Sequence, residues 1–386
     1  MKNLHRRNFL KMSSIGTVVP AFSSFPFDAN KEFMDDKTSN ATINFTSDGL
    51  NLSPLEYAQL LSKLTENNNL QEDYYSLDGC VAALEAKFAQ FLGKEAAVFM
   101  PTGTLANHLA IRTLAGNTNR VIVQNESHIY NDTGDCVQTL SNLNLIPLGA
   151  DKATFSVDEV NETIKRTASG RVAGKVGVIS IESPVRRKSG EMFDFEQMKQ
   201  IAQLAKTNDI KMHLDGARLF LASGHTGIAP SVYAAMFDTV YVSLYKYFNA
   251  ASGAILAGPK ELIAPMYHTR RMFGSGLHQA WPFAAVALHY ADGFLERYAK
   301  AVKISEELLQ KLKSHPQFDI QRIPAGTNIS KMTVKGITTT AFAENLKKNG
   351  VLVRPNGANS LNLLVNESLL RSNSTELASI FMNSLG

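Results

Sequence analysis

Seven short apolar runs separated by helical patterns constrain this chain more than any other feature. AAVFM (96–100), RVIVQ (120–124), LIPLG (145–149), VGVISIE (176–182), IKMHLD (210–215), TVYVSL (239–244) and GAILAG (253–258) read as buried strands by length and composition. Helical segments such as LANHLAIRTLAG, SVDEVNETIKRTA and FDFEQMKQIAQLAKTN lie between them. The last carries acids in its first turn and lysines later, as the helix dipole favours. Strands that alternate with helices pair mainly in parallel, so the expected class is α/β, with a mainly parallel sheet between helices. From about Ala280 a long helical pattern leads to FDIQRI, ISKMTV and GVLVRP, alternating with TTAFAENLKKNG and a C-terminal helix. This predicts a large domain with its N-terminal segment over 42–290 and a small C-terminal α/β domain over 291–386.

The chain has 386 residues, 44% hydrophobic and 19% charged, enough for one large core and a smaller one. The formal charge of +4 comes from the N-terminus, because Lys2, Arg6, Arg7 and Lys11 all precede Asp28, the first acid. The rest of the chain carries no basic excess, which argues against a nucleic-acid partner. Cys80 and Cys136 lack any zinc or CxxC spacing; they read as small buried hydrophobes, with a disulfide as the alternative. No metal site is expected. Residues 1–30 have a basic start and a weakly apolar stretch broken by Pro20, too short for a permanent membrane anchor. HRRNFLK (5–11) resembles a twin-arginine export signal, which implies export of an already folded protein to the periplasm.

Asp215 ends a buried strand, where open α/β sheets bind ligands, and a carboxylate there needs a cation. Lys246 stands alone in the uncharged run VSLYKYFNAASGAIL. A lysine among apolar groups has a lowered pKa and can form a Schiff base. Pyridoxal phosphate needs such a lysine for its aldehyde and a carboxylate for its pyridine nitrogen. The plainer alternative makes Asp215 a helix cap and Lys246 a surface charge. FMPTGTLANHLAI adds a strand, a turn with Gly103, Thr102 and Thr104, and a helix start, the pattern of a phosphate site. His128, just beyond the next strand, is placed where an imidazole could stack on a flat ring.

Together these segments resemble the threonine aldolase branch of the β-eliminating lyase family, within the fold type I pyridoxal phosphate enzymes. The resemblance rests on PTGTLAN (101–107), SH (127–128), HLDGARLF (213–220) and SLYK (243–246), with SD (47–48), DYYSLDG (73–79) and TN (327–328). It implies that Gly103 and Thr104 hold the cofactor phosphate, His128 stacks on the ring, Asp215 binds the pyridine nitrogen and Lys246 binds the aldehyde. It also implies that Arg218, with Ser47, binds the substrate carboxylate beside the cofactor. The implied reaction is retro-aldol cleavage of a threonine-like β-hydroxy-α-amino acid to glycine and an aldehyde, with His128 or a water as the base. Other reactions of the same cofactor, namely β-elimination, racemisation or transamination, are the alternative, and an exported binding protein is a third. A homodimer or homotetramer is expected, with YHTRRMFGSGLHQ (267–279) reaching a neighbour's phosphate site.

The departures fall on the substrate side. Lys246 lies between Tyr245 and Tyr247 where the family has serine and glycine, and Glu182-Ser183-Pro184-Val185-Arg186 stands for E-N-T-H-N. His278 replaces an arginine just after Arg270 and Arg271, and Asn362 replaces one that helps hold the substrate. Arg354 and Arg186 are the candidates to compensate.

Overall fold

A computed structural model describes residues 42–66 and 70–386, and the described residues belong to one compact unit. The export-signal segment lies outside them. The strands are β1 (Ile43–Asn44), β2 (Ala96–Met100), β3 (Arg120–Gln124), β4 (Asn144–Leu148), β5 (Val176–Glu182), β6 (Lys211–Asp215), β7 (Thr239–Ser243) and β8 (Ala254–Gly258). After four helices come β9 (Phe318–Arg322), β10 (Ile329–Val334), β11 (Val351–Leu352), β12 (Arg354–Pro355) and β13 (Ser360–Leu364).

Seven strands form the main sheet in the order β2-β8-β7-β6-β5-β3-β4. The pairs among β4, β3, β5, β6 and β7 are parallel, and β8 runs antiparallel to both β7 and β2. The carboxyl ends of β2, β3, β5, β6 and β7 therefore share one edge, joined by the amino end of β8. Helices cover this sheet because its central strands are apolar on both faces: β5, β7 and β8 are buried along their whole length. β4 corrects the buried reading of LIPLG. It is a half-exposed edge strand with a single neighbour, which also explains how Pro147 is tolerated within it.

The long helical pattern after Ala280 is two helices, Trp281–Ala291 and Phe294–Lys313. The break falls at Gly293, whose φ of +65° lies in the left-handed region that favours glycine. GVLVRP also divides: β11 pairs in parallel with β1, whereas β12 joins the antiparallel sheet β12-β13-β10-β9. The segment Ile43–Leu50 thus lies against the C-terminal part of the chain. It also reaches the loop after β7, where the Leu50 N–H donates to Asn249 Oδ1 (2.7 Å). Both cysteines are free thiols.

Candidate active site

A cavity of about 1160 Å³ lies along the shared strand edge, and Gly103, Thr104, His128, Asp215, Arg218, Lys246 and Ser47 all line it. All seven residues singled out in the sequence are thus brought together. The volume exceeds the roughly 300–1,000 Å³ of a usual small-molecule pocket, enough for a cofactor and an amino acid together.

At one end, β2 leads into the helix Gly103–Ala115. Thr102 Oγ1 accepts the Leu105 N–H (3.2 Å), so the first amides of the helix remain directed at the cavity with Thr104 beside them. A Cβ on Gly103 would stand 2.0 Å from the Tyr241 hydroxyl, so only glycine lets this helix start pack on β7. Ser252, before β8, closes the same end by donating to the Pro101 carbonyl (2.8 Å).

In the middle of the edge, Asp215 is 3% exposed. Its Oδ1 accepts the Ala217 N–H (3.1 Å) and its Oδ2 accepts from Asn107 Nδ2 (2.5 Å). Asn107 Oδ1 must then accept from His213 Nε2 (2.9 Å), and His213 Nδ1 accepts from the Thr239 hydroxyl (2.9 Å). Burial lowers the His213 pKa to about 4, so this relay is neutral until it reaches Asp215. Among the described residues no lysine or arginine forms an ion pair with Asp215. A buried carboxylate without a direct ion-pair partner, lining a cavity, is suited to a protonated pyridine nitrogen. The residues present fit pyridoxal phosphate.

Next to Asp215 in register stands Glu182, also buried. Its carboxylate accepts the backbone N–H of His128 (2.6 Å) and of Arg186 (2.8 Å). Its pKa is pushed up to about 7, by burial first and then by Asp215. Glu182 thus fixes the two loops that carry His128 and Arg186. His128 is half-buried, and its Nδ1 lies 3.5 Å from Asp132 Oδ2.

Lys246 is half-buried after β7, with Nζ 3.3 Å from the Tyr245 hydroxyl and 4.6 Å from that ring's centre. Its pKa is lowered, by burial first and then by the charge of Arg218. A Cβ on Gly49 would meet the Lys246 carbonyl at 2.2 Å, so a glycine there lets the N-terminal segment close against this loop. Arg218 donates through Nε to Asp48 Oδ2 (2.8 Å), and Asn328 Nδ2 donates to Asp48 Oδ1 (3.0 Å). Ser47 donates to the Gly49 carbonyl (2.8 Å) in the same corner.

Three roles escaped the sequence reading. Asn107 and Asp48 sit inside quoted motifs, but only the fold shows that they orient Asp215 and Arg218. Glu182 was visible only as part of a departing segment. Of the two arginines considered as compensation, Arg186 lines the cavity, whereas Arg354 lies exposed on β12. Leu364, on the same face of β13 as Asn362, lines the cavity. Arg270 is a packing residue: buried, it donates to the carbonyls of Phe99 (2.5 Å) and Ser76 (2.9 Å).

The β-eliminating lyase family matches residues 59–335. The low-specificity L-threonine aldolase of Candida albicans is 29% identical over 245 residues, spanning 61% of this chain and 65% of the relative. Alanine racemase TOXG of Cochliobolus carbonum is 26% identical over 327 residues, 81% of each chain. The solved structure of Leishmania major threonine aldolase superimposes with a TM-score of 0.67 at 16% identity, covering 89% of this chain and 98% of that one, and so shares the fold. With the cavity's fit to the cofactor, the match over most of the chain places this protein in the β-eliminating lyase family of fold type I pyridoxal phosphate enzymes.

Proposed function

We propose that the protein is a pyridoxal phosphate-dependent carbon–carbon lyase that cleaves a threonine-like β-hydroxy-α-amino acid to glycine and an aldehyde. The observation that carries this reading is the buried Asp215, without a direct ion pair, at the end of its neutral relay and beside a lysine of lowered pKa. When bound, the cofactor supplies an electron sink for the pair released from the Cα–Cβ bond. Asp215 keeps the pyridine nitrogen protonated, and Asn107 holds Asp215 in place. Lys246 Nζ, favoured in its neutral form by burial and Arg218, is the nucleophile toward the aldehyde. The helix start at Gly103 and Thr104 receives the phosphate. Arg218 and Ser47 orient the substrate carboxylate. His128, held through its backbone by Glu182, covers the ring and is placed to take the β-hydroxyl proton, directly or through a water.

Racemisation is the second reading. One relative bears the name of an alanine racemase, and the Tyr245 hydroxyl beside Lys246 is a second group able to carry a proton to Cα. Incubating the purified holoprotein with L-threonine and with L-alanine separates the two. Release of glycine and acetaldehyde supports cleavage, and conversion of L- to D-alanine without glycine release supports racemisation.

The assembly we infer is a homodimer or homotetramer. Met272 and Tyr74 are each 66% exposed, and the Tyr75 N–H bonds the His278 carbonyl (2.8 Å), so segments 73–79 and 267–279 present one partly apolar surface. Export to the periplasm by the twin-arginine route rests on HRRNFLK alone, and cell fractionation tests it.

A further inference from the structure

Two arginines that line the cavity stand just beyond the ends of neighbouring strands. Arg218 follows β6 and Arg186 follows β5, whose ends pair at Asp215 and Glu182, and adjacent strands lie ~4.8 Å apart. Each arginine has its own acid. Arg218 bonds Asp48 (2.8 Å) in the corner of Ser47 and Asn328. Arg186 Nη2 bonds Asp132 (2.6 Å), the carboxylate that also lies beside His128. Arg187 shares Asp132 (3.2 Å) and approaches Glu126 (3.5 Å). Arg186 and Arg187 are thus set against Asp132 and Glu126, while Lys188 Nζ turns to the Asp151 carbonyl (2.8 Å), and of these three cations Arg186 lines the cavity. Arg186 is held in direction by Asp132 and through its N–H by Glu182, yet its side chain is 48% exposed and open to a ligand.

We propose that Arg186 is the receptor for an anionic group on the substrate β-carbon, so that the protein prefers β-hydroxy-α-amino diacids of the 3-hydroxyaspartate class over threonine. This rests on the aldol-cleavage reading. The α-carboxylate already has Arg218, and the apolar Leu364 lines the wall on the Asn362 face of β13. Both arginines line the same cavity, so a diacid held through its α-carboxylate at Arg218 has a second guanidinium for its other carboxylate. In the cleavage the β-hydroxyl loses its proton to a base, its oxygen becomes the carbonyl oxygen, and the Cα–Cβ pair stays with Cα, which takes a proton. 3-Hydroxyaspartate then gives glycine and glyoxylate, balanced without any oxidant.

The test compares kcat/KM of the holoenzyme for L-3-hydroxyaspartate (both β-epimers) and for L-threonine, in the unaltered protein, Arg186→Met and Arg186→Lys. A charge-assisted contact favours the diacid by roughly ten- to a hundredfold. Arg186→Met removes that ratio, and Arg186→Lys keeps part of it. An unchanged ratio in Arg186→Met, even with both rates lowered, overturns the proposal and makes Arg186 a second grip on the α-carboxylate. A binding arm needs no cleavage: the cofactor's absorbance is titrated with L-aspartate and with L-2-aminobutyrate. Tighter aspartate binding that is lost in Arg186→Met sustains the receptor role even if no hydroxy acid is cleaved, which would defeat the aldol reading alone. Equal binding of the two amino acids overturns the receptor role whatever is cleaved.

Discussion

The two sides of the cavity are built differently. The side around Asp215 consists of strand ends and one helix, with Thr239, His213, Asn107 and Asp215 joined in a buried chain that leaves no member unpartnered. The side around Arg186 consists of loops, where half-exposed arginines share carboxylates with His128 nearby. A buried relay tolerates little change, because each lost partner strands a polar group away from water. Exposed ion pairs contribute little to stability, so their residues can change with the ligand. The first side suits a fixed cofactor, and the second suits a substrate particular to this chain.

The sharpest way to break this contrast is Asp215→Ala. With the proposed partner of the pyridine nitrogen removed, turnover should fall by roughly 10²–10³-fold or more, with some cofactor still bound. Steady-state kinetics beside an absorption spectrum reads both. Arg218→Ala comes next. It should raise KM by roughly ten- to a hundredfold and also lower stability, since Asp48 loses its cation while 8% exposed. A raised KM with an unchanged melting temperature would place Arg218 among the loosely held groups instead. Asn107→Ala leaves Asp215 and His213 each short of one partner, at a cost of roughly 1–3 kcal/mol in denaturant unfolding.

The smallest effect lies outside both sides. Burial pushes the Glu85 carboxyl up to about 7, against the bonds it accepts from the Phe99 N–H (2.7 Å) and the Tyr267 hydroxyl (2.7 Å). A carboxyl with a raised folded-state pKa contributes stability below its ordinary value of 4.5, and that contribution is lost as pH rises through about 7. Glu85→Gln keeps an acceptor for the Phe99 N–H, turns the Tyr267 bond round so that the amide donates to the hydroxyl, and removes the titration. Its melting temperature should therefore gain on the unaltered protein between pH 5 and pH 8, and an equal offset at both pH values would contradict the assignment.

The strands of the main sheet were legible because their apolar runs are bounded by turn residues; β2, β3 and β5 coincide with AAVFM, RVIVQ and VGVISIE. β4 was misread as buried because an apolar run does not reveal whether one neighbour or two flank it. The candidate site residues were legible as motifs, since strand ends and a helix start bring them to one edge. Their partners were not. Asp48 and Arg218 are 170 positions apart, and Glu182 reaches His128 across 54. Such pairings follow from strand order, in which β5 lies beside β3 although β4 intervenes in sequence. Arg186 was legible only as one of two arginines able to compensate for a lost one; that it lines the cavity while Arg354 does not follows from that order.

The most direct test of the proposed site is to reduce the purified protein with borohydride and map the modified lysine by peptide mass spectrometry. The untreated protein should absorb at the edge of the visible range, and reduction should fix the pyridoxyl group on Lys246. A protein that stays colourless when supplied with pyridoxal phosphate, or a label on any other lysine, would contradict the assignment of this cavity.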